Sequence, residues 1–135
     1  MKTTPPPVLR VLLLLGALAL ASCTDPRSNS LSRLHRDDVP ELRANVAELS
    51  TRLFPASGPT LIPVRPEQWP AALLKLRPLR MNLYRDGLAV SLQASPGFEY
   101  GLHILPPGVS DEMVSTARTQ YEKVQDGIYY FTQKR

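Results

Sequence analysis

Leu79-Arg80-Met81-Asn82-Leu83-Tyr84-Arg85-Asp86-Gly87-Leu88-Ala89-Val90-Ser91-Leu92-Gln93 is the stretch that decides the fold. Apolar side chains occupy every second position: Leu79, Met81 and Leu83 before the Asp-Gly pair, Leu88, Val90 and Leu92 after it. Successive strand side chains point to opposite faces, so this period of two marks half-buried strands and not a helix. Asp-Gly between two such runs selects a two-residue type I′ hairpin loop. That register sets Leu83 opposite Val90 and Met81 opposite Leu92, so both apolar sets share one face. Arg80, Asn82, Tyr84, Ser91 and Gln93 then point the other way.

The alternation continues downstream. After Ser95-Pro96-Gly97, the residues Phe98, Tyr100, Leu102 and Ile104 alternate with Glu99, Gly101 and His103, giving a third strand closed by Pro106-Pro107-Gly108. Residues 111–118 read as a short helix or an irregular loop. A second Asp-Gly pair, Asp126-Gly127, joins runs at 120–125 and 128–132 whose Tyr121, Tyr129, Tyr130 and Phe131 suit strands.

Upstream the period changes to 3.6. Val39, Leu42, Val46, Leu49 and Leu53 recur at spacings of three and four, one apolar stripe of a helix over 39–53. Asp38 with Glu41 resembles a capping box, Pro40 is tolerated in the first turn, and Pro55 with Gly58-Pro59 stops the helix. Leu61-Ile62-Pro63-Val64 fits a short edge strand, where proline is permitted. Trp69, Ala72, Leu73 and Leu76 share a face of a second, shorter helix over 66–76. The expected class is α+β: two N-terminal helices covering one face of a four- to five-stranded antiparallel meander, in a single domain over 38–135.

Chemistry is sparse. The outer sheet face would carry Arg80, Tyr84, Gln93 and His103, a polar surface able to bind a carboxylate, a sugar or a protein, and equally the solvent face of any half-buried sheet. Metal ligation is not expected, since the two histidines, His35 and His103, lack ligand spacing and there is one cysteine. No phosphate-cradling glycine loop and no Gly-x-Ser-x-Gly turn is present, so no catalytic residues and no cofactor are expected. A net charge of +4, part of it from Lys2 and Arg10 near the N-terminus, argues against nucleic acid.

The N-terminal region supplies the address. Val11 to Leu20 is an apolar run behind Lys2 and Arg10, and it ends in Leu20-Ala21-Ser22-Cys23, which contains the only cysteine. The run falls well short of the roughly 20 residues a spanning helix needs, and the basic, apolar and small-residue succession is that of an export signal. These residues resemble a bacterial lipoprotein signal peptide with its lipobox. The resemblance implies removal of residues 1–22, a diacylglyceryl lipid on Cys23 and, because Thr24 and not Asp follows the cysteine, an outer-membrane location facing the periplasm. Ala19-Leu20-Ala21 also fits ordinary signal-peptidase cleavage, and an uncleaved anchor is the remaining alternative. Residues 24–36 are polar and read as a flexible tether, so 23–37 forms the lipidated linker.

The expected function is therefore a membrane-anchored envelope lipoprotein with a non-catalytic domain that binds a partner protein or another envelope component. The alternatives are a small envelope hydrolase using His103 and a nearby acid, or a small-ligand carrier with a cavity between helices and sheet. The part after Cys23 resembles no family of assigned function.

Overall fold

The computed structural model describes residues 25–109 and 112–135. The residues read as a signal peptide, Cys23 and Asp111 lie outside them. The fold is α+β, with six strands in one antiparallel sheet: β1 (Leu61–Val64), β2 (Arg80–Tyr84), β3 (Gly87–Ser95), β4 (Phe98–Ile104), β5 (Thr119–Gln125) and β6 (Ile128–Lys134). The helices are α1 (Pro26–Ser32), α2 (Val39–Leu53) and the single-turn α3 (Ala71–Leu74), with 3₁₀ turns at Arg36–Asp38 and Pro66–Gln68.

The sheet has one more strand than the upper expectation, and it is not a simple meander. Its order is β1-β2-β3-β4-β6-β5, so the final hairpin is turned round and β6 lies inside. Side-chain character explains the swap. Ile128, Tyr129, Tyr130 and Phe131 of β6 are all buried, whereas β5 carries Glu122 and Lys123 and is largely wet. An apolar strand gains by taking the interior place, and a charged one protects the edge. β1 with Pro63 forms the other edge, as expected.

The first hairpin forms, with its register displaced by two. Leu83 faces Leu88 and Met81 faces Val90, so the loop is Arg85-Asp86 and Gly87 is already in β3. Neither loop residue has a positive φ, which rules out the type I′ turn. The faces survive because a slip of two restores the alternation that a slip of one would invert. Gly87 serves close approach and not a turn: a Cβ there would lie 2.6 Å from the Ile104 carbonyl oxygen and 2.8 Å from His103 Nε2. In the second hairpin the Asp126-Gly127 loop is present, with Gly127 at φ 75°.

The inner sheet face meets the helices. Val39, Leu42, Val46 and Leu49 of α2 share one core with Met81, Leu83, Leu88, Val90, Leu102, Ile104 and Ile128. Such apolar burial, at about 25 cal/mol per Å², is the main force holding the layers together. The capping box does not form. The Arg36–Asp38 turn runs straight into α2, leaving Asp38 at φ −83°, ψ −14° where a cap needs extended backbone, and its carboxylate instead lies 3.8 Å from Lys75 Nζ.

The second predicted helix is broken in two. Pro70 disfavours helical geometry at the residue before it, and Trp69 is extended at ψ 125°, with its indole N–H donating to the Val64 carbonyl at 2.9 Å. The stretch read as a tether contains α1. Asp25 caps it by accepting from Arg27 N at 3.2 Å, and Pro26 occupies the first turn. The helix is pinned to the sheet by Arg27 on Glu122, at 2.5 and 2.9 Å, and by Asn29 on Gln93 at 3.1 Å. Arg33, just past its end, donates to the carbonyls of Leu76, Arg77 and Leu92.

Gly101 sits where β3 and β4 come closest, and a Cβ there would lie 2.0 Å from the Val90 carbonyl oxygen. Backbone cannot yield as a side-chain tip can. Gly101→Ala should therefore lower the unfolding free energy by about 3 kcal/mol, the upper part of the range for overpacking. Urea unfolding at neutral pH would show this as a lower midpoint with an unchanged slope.

Candidate functional site

The outer sheet face is concave because of which residues the pairing places at its centre. Opposed pairs set Ala89 beside His103 and Ser91 beside Gly101, leaving small side chains in the middle. Large rings stand around them: Tyr84 on β2, Phe131 on β6, and Tyr121 on β5 directly across from Phe131. The result is a cleft of about 190 Å³, lined also by Asn82, Asp86, Glu99, Thr119 and Gln133, with Met113 contributed by the loop between β4 and β5. That loop has no helix among its described residues.

Two buried polar groups lie along β4, four residues apart. Glu99, 1 % exposed, is fully partnered. Arg80 grips it with both fork nitrogens at 2.8 and 2.5 Å, Arg135 adds contacts at 3.2 and 3.0 Å, and the Ser91 hydroxyl donates to its other oxygen. Burial alone would raise its pKa, but the hydrogen bonds from Ser91, Arg80 and Arg135 outweigh it and hold the carboxyl below its ordinary value. This is a structural clamp joining β2, β3, β4 and the residue after β6.

His103, 2 % exposed, is the opposite case. Its Nε2 is buried and has no hydrogen-bond partner. The nearest charged atom is Asp86 Oδ1 at 3.8 Å, beyond hydrogen-bonding range. Tyr84 and Tyr121 flank the imidazole with ring centroids at 5.9 and 5.8 Å, tilted by 43° and 84°, so the three rings form a cup and not a stack. Burial lowers the His103 pKa, and the attraction of Asp86 offsets only part of this. The imidazole is neutral at pH 7. Burial raises both phenols, and Asp86 pushes each of them further up.

Of the four residues read as a binding face, the structure brings Tyr84 and His103 together in the cleft. Arg80 is on the same face but committed to Glu99. Gln93 is on the inner face. A β-bulge between Ser91 and Gln93 inserts Leu92, so Gln93 comes to pair with Tyr100 beneath α1. Asp86, Tyr121 and Phe131 were missed as site residues. Asp86 reads as turn chemistry alone, and the outward set Thr119, Tyr121, Lys123 becomes a pattern only once β6 is known to lie between β4 and β5.

The Ser91 hydroxyl hydrogen is directed at Glu99, which withdraws that side chain as a nucleophile. Among the described residues no group of three His, Cys, Asp or Glu side chains converges as a metal would require, and no helix is long and apolar enough to cross a membrane. Comparison with protein-family models, curated proteins and solved structures found no match for the chain.

The two buried groups should titrate stability in separate windows. With His103 depressed, the unfolded chain takes up that proton first, so unfolding free energy should begin to fall as pH drops below about 6.5, its ordinary value. Glu99, also depressed, contributes stability above its ordinary value of 4.5 that is lost as pH falls through the folded value. Urea unfolding across pH should show His103→Gln flattening the upper window only and Glu99→Gln the lower window only.

Proposed function

We propose that the chain is an envelope lipoprotein, held in the outer membrane through lipid on Cys23 and facing the periplasm, whose α+β domain binds a partner or envelope component. The observation that carries the binding half is the outer-face cleft with the buried, unpartnered His103 Nε2 at its edge. A buried polar atom without a partner costs roughly 1–3 kcal/mol, a cost that a bound group could relieve. Supporting the anchor half are Leu20-Ala21-Ser22-Cys23 and a short apolar run unsuited to spanning.

The docking of α1 bears on how the domain would sit. Asp25, two residues after Cys23, already caps a helix fixed to the sheet. Lipid on Cys23 would then hold the domain against the bilayer surface instead of at the end of a long tether. Two or more acyl chains on that residue are enough for stable attachment.

The hydrolase reading is favoured by the nearness of Asp86 to His103 and opposed by the commitment of Ser91 to Glu99. The binding reading accounts for both, and it is the one we adopt.

Cys23→Ala should move the protein from the membrane fraction to the soluble fraction of lysed cells; retention in the membrane fraction would sink the anchor. Envelope extract passed over the immobilised full chain should yield a component that Tyr121→Ala, which opens one wall of the cleft, no longer captures. Equal capture by both proteins would remove the cleft from the binding function.

A further inference from the structure

We infer that the cleft binds a primary ammonium group, seated against Tyr84, Tyr121 and His103 with Asp86 as its counter-charge. The inference rests on the cleft being the binding site and names the chemistry that fits it.

The charge balance of the lining comes first. Its described residues include two carboxylates and no Lys or Arg. Glu99, four residues along β4 from His103, is more than neutralised by Arg80 and Arg135, whose two guanidiniums hold it from outside the lining. Among the described residues Asp86 has an ion-pair neighbour in His103 alone, at 3.8 Å, and burial lowers the pKa of that imidazole. At the His103 end of the cleft an anionic ligand would meet the Asp86 carboxylate, and a cation would balance it there.

The aromatic walls point the same way. Ring faces carry negative quadrupole charge and attract a cation within about 6 Å, more strongly as water is excluded. Tyr84 and Tyr121 flank His103 at angles, and all three line the cleft as an aromatic wall instead of a flat platform. Burial keeps both phenols neutral, so their rings retain this character without competing ionisation.

His103 Nε2 narrows the class. In its Nδ1–H tautomer the neutral ring leaves Nε2 an acceptor without a donor, and Asp86 Oδ1, a second acceptor, is 3.8 Å away. Two acceptors so spaced are bridged by a group with at least two N–H bonds. A primary ammonium supplies three, and a quaternary ammonium none. Asp86 is 57 % exposed on the Arg85-Asp86 turn, so its side chain is able to swing onto the incoming group.

The test uses the full chain in a polyoxyethylene detergent free of ammonium groups, with ¹³C-labelled tyrosine and histidine rings followed by NMR. Ethylammonium chloride should shift the Tyr84, Tyr121 and His103 ring signals saturably, against sodium chloride at matched ionic strength. Ethanol, its neutral isostere, and tetramethylammonium should not. Asp86→Asn, which keeps turn-forming chemistry, should weaken the ethylammonium response about tenfold. Equal shifts by ethanol or tetramethylammonium, no saturable shift, or an unaffected Asp86→Asn would each overturn the inference. Saturation by glucose alone would overturn it while leaving the cleft as a binding site. Reconstitution into vesicles distinguishes sources: shifts with phosphatidylethanolamine but not phosphatidylcholine assign the ammonium to a lipid headgroup. Shifts with soluble ethylammonium alone assign it to a free or peptide amine, and either result supports the chemistry.

Discussion

The structure depends on a sheet whose two faces are filled by different means. On the inner face, Leu42, Val46 and Leu49 of α2 join Leu83, Val90 and Leu102 in one apolar core, the ordinary way a half-apolar sheet is completed. On the outer face no helix is available, yet Ser91, Glu99, His103, Tyr129 and Phe131 are all buried there or nearly so. Polar groups buried without a helix above them must find partners among their neighbours. Glu99 does, and its clamp adds side-chain bonds across β2, β3 and β4 to the backbone ladders that already pair them. His103 does not, so one strand carries a partnered and an unpartnered buried polar group.

Much of this was legible from alternation, which states which residues share a face without stating which are opposite. The hairpin shows the distinction. Met81, Leu83, Leu88 and Val90 were assigned to the core correctly although the loop was placed one residue late, because a register shift of two leaves every face intact. The misreading came from Gly87, whose pairing with Asp86 imitates a turn signal. Its actual requirement is space, since the Ile104 carbonyl and the His103 ring lie where a Cβ would be. That requirement arises from strands brought together by tertiary pairing, so no local window of sequence contains it.

The other departures share a cause. Gln93 crosses to the inner face through a bulge, which adds one residue without marking it in the hydrophobic pattern. The β5–β6 exchange follows from comparing the polarity of two whole strands, a comparison that nearest-neighbour connection does not suggest. By contrast, α1 was readable: Asp25 followed by Pro26 is a helix-start signal. Its polar composition hid it, because Leu31 is the one large apolar side chain the helix packs on the core and the other attachments are hydrogen bonds from Arg27, Asn29 and Arg33. Composition identifies helices that pack by apolar stripes better than those that dock by hydrogen bonds.

This manner of docking has a consequence for the cleft. α1 lies on the inner-face side of the sheet, where Asn29 meets Gln93 and Arg27 meets Glu122. The cleft opens on the opposite face. If lipid on Cys23 draws the start of α1 to the bilayer, the sheet stands between the membrane and the opening. A ligand arriving from the periplasm then meets the outer face directly, whereas a headgroup from the same membrane must reach around the β1 or β5 edge. That placement would set the two proposed ammonium sources apart by path as well as by chemistry. On a chain lipidated at Cys23 the short span to Asp25 would impose this orientation, for a long tether would leave the cleft free to turn either way.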